Sequence, residues 1–463
     1  MSIELKNVSF SYEGSEKGAL SDFNLSVKSG EFVVLAGESG CGKSTVTRLI
    51  NAISPYFYRG ELEGEVLIDG KNIKEIKRYE LASIVGSVFQ NPRTQFFNTH
   101  TDSEIAFGLE NSGIDTNVIN ARMNEVYDNL CMEKLRDRDI FKLSGGEKQK
   151  VAFGSVYAMN PDIYVLDEPS SNLDEKGIEE LKKCLKLVKE EGKTVVVAEH
   201  RLYYLAELAD RFVYMKEGRI LEVYSSDAFK ALSEDKLKEM GLRAATFTPV
   251  YKNKENPSEE PKEATLHLNR ICLKREGNVI LSDLSLTFKK GRVYGIVGRN
   301  GVGKTTLLRT LSGLHKEYEG EITEKGVTMN PRQLKKRAYL VMQDVNYQLF
   351  GESVEKECKL GLKNVQNDKI LKALKCTDLL NLRERHPNTL SGGQKQRLSV
   401  AVSMVYDKDI VLFDEPTSGL DGKNMNRIAD IIKELASRGK YVVVVSHDYE
   451  FLNECCDCVV ELV

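Results

Sequence analysis

The stretch LSGGEKQKVAFGSVYAMNPDIYVLDEPSSNLD, residues 143–174, decides the fold because it returns 247 residues later (390 − 143). The second copy, residues 390–421, reads LSGGQKQRLSVAVSMVYDKDIVLFDEPTSGLD. GESGCGKST at 37–45 likewise recurs as GRNGVGKTT at 298–306, with an offset of 261 (298 − 37). A repeat of this length indicates two copies of one structural unit. The 463 residues are therefore predicted to form two similar domains, 1–235 and 265–463, with a linker at 236–264 whose start is approximate.

The predicted linker differs in composition from the segments on either side. The sequence TFTPVYKNKENPSEEPKEATL, residues 246–266, contains three of the ten prolines of the chain, Pro249, Pro257 and Pro261, among charged residues. It has little apolar periodicity, which is typical of a connecting segment.

Composition excludes several classes of protein. With 41% hydrophobic and 29% charged residues the chain is ordinary for a globular protein, and its net charge of −3 supplies no basic excess for binding nucleic acid. It contains no apolar run of the ~20 residues that cross a bilayer, and MSIELKNVSF lacks the features of a signal peptide. Nine cysteines without regular spacing indicate reduced thiols, although the C-x-x-C at Cys455 and Cys458 leaves a metal or redox role as an alternative.

Each half is predicted to be an α/β domain, because short apolar runs alternate with helical patterns. Such runs are typical of strands buried on both faces of a parallel sheet. They lie at 32–36, 163–166 and 194–198 in the first half, and at 293–297, 410–413 and 441–445 in the second.

The segment from Gly37 to Ser44 matches the phosphate-loop pattern G-x-x-x-x-G-K-[ST] and lies between a predicted strand and a predicted helix. Glycines let backbone N–H groups turn towards a phosphate, and Lys43 can reach the β and γ oxygens. The hydroxyl of Ser44 suits Mg²⁺. Residues 298–305 repeat the pattern with Lys304 and Thr305. The sequence therefore predicts two nucleotide sites.

Two carboxylate pairs, Asp167-Glu168 and Asp414-Glu415, each end an apolar run. Such a pair is expected at the carboxyl edge of the sheet, beside the phosphate loop. The first carboxylate suits Mg²⁺, and the second can orient or deprotonate an attacking water.

LSGGE and LSGGQ, each followed by a helical pattern and a strand ending in Asp-Glu, resemble the signature and Walker B motifs of ABC ATPases. The resemblance covers nearly the whole chain apart from the linker. It implies ATP hydrolysis by two P-loop domains, each with a mostly parallel sheet core, an antiparallel β subdomain and an α-helical signature subdomain. It also implies that each ATP, with Mg²⁺, is held between the phosphate loop of one half and the signature of the other.

The resemblance assigns further roles at matching positions. Gln90 and Gln343 resemble the glutamines that sense Mg²⁺ and the water, and His200 and His447 resemble the switch histidines that contact the γ-phosphate. Tyr12 lies where the family places an aromatic against adenine, but Arg275 occupies that place in the second half, so we expect the two sites to differ in affinity.

The full assignment follows from these motifs. The catalytic residues are Glu168, Glu415, His200, His447, Gln90 and Gln343. The metal ligands are Ser44, Gln90, Asp167, Thr305, Gln343 and Asp414. The ATP-binding residues are Tyr12, Gly37, Glu38, Ser39, Gly40, Cys41, Gly42, Lys43, Ser44, Thr45, Gly298, Arg299, Asn300, Gly301, Val302, Gly303, Lys304, Thr305, Thr306, Ser144, Gly145, Gly146, Glu147, Ser391, Gly392, Gly393 and Gln394.

The segments QNPRTQFF (90–97) and QDVNYQLF (343–350), with EHRL at 199–202, resemble the ATPase subunits of energy-coupling factor transporters, which import vitamins and metal ions. The resemblance implies a coupling membrane subunit, a substrate-binding membrane subunit and a place on the cytoplasmic face of the membrane. A sugar-type tandem importer ATPase and a ribosome-associated tandem factor are the alternatives.

The segment after each glutamine carries clustered acidic residues, predicted to be either a solvated face or a docking groove for arginines of the partner. They are Asp102, Glu104, Glu110, Glu352, Glu355 and Glu357.

Overall fold

A computed structural model describes residues 1–15, 18–171, 173–247, 249, 265–363 and 365–462. The chain divides into two units, Met1–Phe247 (unit 1) and Thr248–Val463 (unit 2). Most of the predicted linker lies outside the described residues. Its first part, 236–247, belongs to unit 1, because Leu237, Met240 and Leu242 are buried in the core of that unit. Among the described residues, no helix has both the length and the apolar character to span a membrane.

Unit 1 alternates strands and helices along most of its length. Its strands are β1 (Ile3–Tyr12), β2 (Leu20–Val27), β3 (Phe32–Gly37), β4 (Gly60–Ile68), β5 (Lys71–Asn72), β6 (Val85–Val88), β7 (Ile163–Asp167), β8 (Thr194–Ala198), β9 (Arg211–Lys216) and β10 (Arg219–Ser225). Its helices are α1 (Lys43–Ile50), α2 (Ile53–Tyr56), α3 (Arg78–Ile84), α4 (Thr101–Asn111), α5 (Thr116–Asn129), α6 (Gly145–Ala158), α7 (Glu175–Glu190), α8 (Ser226–Lys230) and α9 (Glu234–Glu239).

The main sheet of unit 1 has the strand order β10-β9-β3-β8-β7-β6, parallel except for the β9–β10 hairpin. Strand β3 is buried on both faces, since Phe32 and Val34 face one core and Val33 and Leu35 face the other. That double burial explains its unbroken apolar run. A separate antiparallel sheet, β2-β1-β4-β5, covers one face, and α4 and α5 pack against α6 as a helical subdomain.

Unit 2 repeats this organisation. Its strands are β11 (Thr265–Arg275), β12 (Asn278–Lys289), β13 (Val293–Gly298), β14 (Tyr318–Glu324), β15 (Val327–Thr328), β16 (Ala338–Val341), β17 (Ile410–Asp414), β18 (Tyr441–Val445) and β19 (Cys458–Leu462). Its helices are α10 (Lys304–Leu311), α11 (Pro331–Arg337), α12 (Val354–Lys359), α13 (Asn367–Cys376), α14 (Gly392–Tyr406), α15 (Gly422–Ser437) and α16 (Tyr449–Cys455).

The main sheet of unit 2 is parallel throughout, in the order β16-β17-β18-β13-β19, and β12-β11-β14-β15 forms the antiparallel sheet. The α/β prediction is confirmed in both units, and each apolar run named above is a strand of a parallel sheet. The order also brings the carboxyl ends of β3, β7 and β8 together, and those of β13, β17 and β18. Those two edges carry the predicted site residues.

Candidate nucleotide sites

Each phosphate loop joins a buried parallel strand to a helix. In unit 1 the loop begins at Gly37, the last residue of β3, and ends at Gly42, which caps α1 with a φ of 106°. A Cβ atom on Gly42 would lie 2.8 Å from the carbonyl oxygen of Ala19, so both the backbone angle and the close approach require glycine. Gly303 caps α10 in the same way, with a φ of 107°.

The lysine of each loop folds back over the loop. Lys43 Nζ donates to the carbonyl oxygens of Gly37 at 2.9 Å and Glu38 at 3.1 Å. Lys304 Nζ donates to the carbonyl oxygen of Gly298 at 2.6 Å. Both lysines are buried, so each ammonium group lies inside the loop, next to backbone N–H groups that can also bind an anion.

A hydroxyl and a carboxylate meet beside each loop. Ser44 Oγ donates to Asp167 Oδ1 at 2.9 Å. Burial, and next the nearby charge of Glu168, raise the pKa of Asp167 to about 6. Burial likewise raises the pKa of Asp414, and a hydrogen bond from Thr305 opposes that rise. Both aspartates therefore lie where a negative charge costs free energy unless a cation is near.

Glu168 contacts two of the predicted site residues. Gln90 Nε2 donates to Glu168 Oε2 at 2.7 Å, and His200 Nε2 lies 3.3 Å from Glu168 Oε1. Burial raises the pKa of Glu168, but His200 and then Lys43 more than offset it, so the pKa ends below its usual value. Glu168 is therefore ionised at neutral pH.

Glu415 has different neighbours in unit 2. Its Oε2 accepts hydrogen bonds from Ser446 Oγ and from the backbone N–H of His447, both at 3.2 Å. His447 Nε2 lies 3.7 Å from Glu415 Oε1 and 3.0 Å from Asn300 Oδ1 in the phosphate loop. Gln343 is exposed just after β16. The same residue types thus gather in both units, with different contacts.

Both glutamates have a left-handed backbone conformation, with φ of 45° at Glu168 and 49° at Glu415. Their N–H groups donate across the sheet to the carbonyl oxygens of Ala198 at 2.8 Å and Val445 at 2.9 Å. The bend turns each carboxylate away from the strand direction. A non-glycine residue pays about 1 kcal/mol or more for such a conformation.

Each signature serine caps a helix. Ser144 Oγ accepts the N–H of Glu147 at 3.3 Å, and Glu147 Oε2 accepts the N–H of Ser144 at 2.8 Å, which together form a capping box at α6. Ser391 and Gln394 form the same box at α14. The serine hydroxyls can still donate their own protons, as expected for an anion contact. The two signatures differ by one charge, because Glu147 is acidic and Gln394 is neutral.

The two predicted adenine positions differ in setting. Tyr12 Oη lies 3.0 Å from Thr45 Oγ1 and accepts a hydrogen bond from Arg48 at 3.2 Å, so the ring is beside α1. Arg275 is exposed at the end of β11. Asn7 and Arg270 share a left-handed conformation, and each lies five residues before its candidate. That spacing places Tyr12 and Arg275 at equivalent positions.

The prediction that the acidic residues after each glutamine form a docking groove is wrong for Glu104 and Glu357. Glu104 is buried, and its Oε2 accepts the N–H groups of Phe97 at 3.0 Å and Asn98 at 2.8 Å. Glu357 is buried too and accepts the N–H of Phe350 at 2.7 Å. These carboxylates hold the segment after each glutamine from inside, because buried N–H groups need an acceptor. They are therefore not available to a partner.

The other four acidic residues have local contacts or face solvent. Asp102 Oδ1 accepts the N–H of Asp137 at 2.9 Å and a hydrogen bond from the Tyr127 hydroxyl. Glu352 and Glu355 each pair with a lysine four residues later, Lys356 and Lys359, and Glu110 is exposed.

Two further glutamines, which the sequence analysis gave no role, accept backbone hydrogen bonds near the sites. Gln95 Oε1 accepts the N–H of Phe89 at 3.3 Å, and Gln348 Oε1 accepts the N–H of Met342 at 2.7 Å. Both stand five residues after their site glutamine, a spacing visible in the repeat. The charged residues Glu199 and Arg201 beside His200 were also given no role.

Comparison with known proteins agrees with this geometry. Residues 20–171 and 281–418 each match the family model described as ABC transporter. A provisionally named ABC transporter ATP-binding protein of Treponema denticola is 47% identical and covers 99% of this chain and 95% of its own. One from Methanosarcina mazei is 36% identical over 98% of this chain and 86% of its own. The solved structure named RNase-L Inhibitor has a TM-score of 0.66 at 24% identity, covering 98% of this chain and 87% of its own, which indicates a shared fold alone.

Proposed function

The chain belongs to the ABC transporter family, whose ATP-binding domains imply ATP hydrolysis, and we propose that it powers a membrane importer of the energy-coupling factor type. In this proposal the imported substrate is a vitamin or a metal ion. Substrate choice belongs to a separate membrane subunit, and the chain lies on the cytoplasmic face of the membrane.

One observation carries the hydrolytic part of the proposal. Both units place a loop lysine, a hydroxyl residue with an aspartate, a strand-end glutamate and a histidine at one sheet edge. A scaffold that only bound nucleotide would not need the glutamate and histidine in either unit. The duplicated set supports two working sites.

The oxygen groups at each edge fit Mg²⁺, which prefers hard oxygen ligands. Ser44 and Asp167 would hold the ion in unit 1, and Thr305 and Asp414 in unit 2. Such an ion would neutralise phosphate charge and relieve the cost of the buried aspartate. Gln90 also fits as a sensor of the ion, because its amide already contacts Glu168.

The remaining roles follow the chemistry of each group. Glu168 and Glu415 would orient the attacking water and accept its proton, since both are strand-end carboxylates beside the phosphate loop. His200 and His447 would donate to the γ-phosphate, and Lys43 and Lys304 would neutralise its charge.

We further propose that each ATP is shared between the units, as the family resemblance implies. Lys43, Asp167 and Glu168 would act with residues 391–394, and Lys304, Asp414 and Glu415 with residues 144–147. The capped serines support this, because each can donate its hydroxyl proton to a phosphate at a helix N-terminus.

Two exposed phenylalanines support a membrane partner. The side chains of Phe97 and Phe350 are 76% and 72% exposed, and each follows a site glutamine by seven residues. The backbone of each is fixed by a buried carboxylate, Glu104 or Glu357. An exposed aromatic side chain on a fixed backbone suits an apolar partner, because little ordering entropy is lost on binding. We assign these side chains to contact with the coupling membrane subunit.

Co-purification tests this assignment. Phe97→Ala and Phe350→Ala should reduce recovery of membrane subunits expressed from the same operon by at least about tenfold, the usual effect of truncating a central aromatic anchor. ATP binding should be retained, since neither side chain lies at the phosphate loop. Matched controls are Leu221→Ala and Val327→Ala, which remove exposed apolar side chains elsewhere. Full recovery of membrane subunits with both phenylalanine variants, or co-sedimentation with ribosomes instead, would contradict the importer proposal.

A further inference from the structure

Two buried charged residues flank the histidine of unit 1. Glu199 and Arg201, on either side of His200, are only 2% and 8% exposed. They follow β8 and contact Ser170 and Leu173, which lie in the segment after Glu168, residues 169–171 and 173–174, called the loop below. Burying two charges is costly unless both are well paired, so their contacts indicate what they do.

Glu199 accepts hydrogen bonds from two segments at once. Its Oε1 accepts the backbone N–H groups of His200 at 2.7 Å and Arg201 at 3.2 Å. Its Oε2 accepts the N–H of Ser170 at 3.2 Å and the hydroxyl of Tyr204 at 2.9 Å. Burial, and then the charge of Glu199, hold the pKa of Tyr204 well above its usual value, so that hydroxyl remains a donor. One carboxylate thus joins the histidine segment to the loop after Glu168.

Arg201 reaches the other end of the same loop. Its Nη1 donates to the carbonyl oxygen of Leu173 at 3.2 Å and lies 3.5 Å from that of Ser170. The loop is therefore held near both ends by charged groups adjacent to His200. Since His200 Nε2 is 3.3 Å from Glu168, any shift of the loop would change that distance.

Unit 2 makes the connection with different residues. At the offset of 247, Ser446 replaces Glu199 and Asp448 replaces Arg201. Asp448 is buried, and its Oδ2 accepts the hydroxyl of Thr417, the residue in place of Ser170, at 3.0 Å.

The residue at the position of Tyr204 also differs between the two units. Phe451 stands in place of Tyr204, and its backbone N–H donates to Asp448 Oδ1 at 3.2 Å. The tyrosine hydroxyl is thus present in unit 1, where Glu199 accepts its hydrogen bond, and absent in unit 2, where serine replaces that glutamate. In each unit a buried carboxylate joins the loop to the histidine segment, but from opposite sides of the histidine.

We propose that Glu199 in unit 1 and Asp448 in unit 2 are positioning residues for ATP hydrolysis. Each fixes the loop that follows the strand-end glutamate against the segment that carries the histidine. The glutamate and the histidine then keep one relative geometry through the reaction. Neither carboxylate contacts the nucleotide in this proposal, so its removal should slow turnover and leave ATP binding intact.

Glu199→Gln tests the first residue in the full chain that also carries Glu415→Gln, so that turnover at the intact site of unit 2 does not mask the effect. The kcat values here and below are compared in that background, whose parent chain is called wild type. The amide oxygen can still accept the N–H groups of His200 and Arg201, but the NH₂ group then faces the N–H of Ser170. The kcat should fall about tenfold, as when one hydrogen bond to a charged group is lost in the transition state, with the KM for ATP changed less than twofold. Glu207→Gln is the matched control, since Glu207 pairs with Lys182 at the surface, and it should keep wild-type kcat.

Transplanting the unit 2 residues separates positioning from stability. The variant Ser170→Thr, Glu199→Ser, Arg201→Asp, Tyr204→Phe gives unit 1 the arrangement of unit 2. It should recover kcat to within about threefold of wild type, whereas Glu199→Ser alone should lose tenfold or more.

Several results would overturn the proposal. They are wild-type kcat in Glu199→Gln, a raised KM with unchanged kcat, or a fourfold variant that folds at the wild-type Tm but is no faster than Glu199→Ser. If Glu199→Gln is too unstable to assay, the fourfold variant decides alone, because its carboxylate at position 201 has the two donors that Asp448 has in unit 2, a threonine hydroxyl and a backbone N–H.

Discussion

Asp167→Asn should stabilise the nucleotide-free protein, although Asp167 is proposed to bind Mg²⁺. Burial, with the nearby charge of Glu168, raises the pKa of Asp167 from 3.8 to about 6. At about 1.4 kcal/mol per pKa unit, the ionised carboxylate costs folded unit 1 about 3 kcal/mol at pH 8. Asparagine keeps the shape and can still accept the hydrogen bond from Ser44, but it carries no charge.

The sign of the pH dependence follows from the raised pKa. Below about pH 3 the carboxyl is protonated in the folded and unfolded states, so the cost is absent. The cost grows as the pH rises from the unfolded pKa of 3.8 through the folded pKa of about 6, and it is complete above that. The advantage of Asp167→Asn should therefore be about 1.5 kcal/mol at pH 5 and about 3 kcal/mol at pH 8.

Calorimetry of the full chain in EDTA, without nucleotide, measures this directly. For a unit of this size, 1 kcal/mol shifts the Tm by about 2–4 °C, so the unit 1 transition should rise by about 6–12 °C at pH 8 and by half that at pH 5. Asp162→Asn is the control, because Asp162 is half exposed beside Lys193. An equal shift at both pH values, or a lower Tm, would refute the reasoning. Added Mg²⁺ and ATP should stabilise the wild type more than the variant.

Three further predictions address turnover. Glu168→Gln with Glu415→Gln should abolish phosphate release while retaining ATP binding, because the amides keep the shape but cannot accept a proton; wild-type release would remove both glutamates from catalysis. Isolated residues 1–247, kept dilute enough to stay monomeric, should hydrolyse ATP at least about tenfold more slowly than the full chain if the sites are shared, and an equal rate would show that one unit suffices. Glu147→Gln should lower the KM for ATP roughly twofold to fivefold, because it removes a negative charge from the first turn of α6 and copies Gln394; an unchanged KM would mean that this helix end does not face phosphate.

The sequence predicted the parts of the site that depend on local pattern. The strands ending at Gly37 and Asp167 are buried on both faces, so their apolar runs are unbroken and their ends can be read directly. The phosphate loops could be predicted because their turns need a left-handed backbone at fixed positions, and glycine occupies those positions, as at Gly42 and Gly303.

Prediction from sequence failed for charged side chains whose role depends on which groups they contact in the folded chain. Glu104 and Glu357 look like surface carboxylates in the sequence, yet each is buried against backbone N–H groups that no charge pattern reveals. The contacts of Glu199 are hidden in the sequence for the same reason, since its partner Ser170 lies 29 residues earlier. Unit 1 extends to Phe247, beyond the approximate linker start at residue 236, and buries Leu237, Met240 and Leu242 in its core.

The left-handed backbone at Glu168 and Glu415 has a consequence for how such sites change over evolutionary time. Each glutamate occupies a conformation that asparagine, aspartate or glycine adopts more readily, so replacing it by one of these would relieve backbone strain. Selection on backbone conformation alone would therefore not preserve the residue. Under the proposed mechanism, selection for turnover keeps both glutamates, so a tandem chain that needed a single active site would drift towards one silent unit.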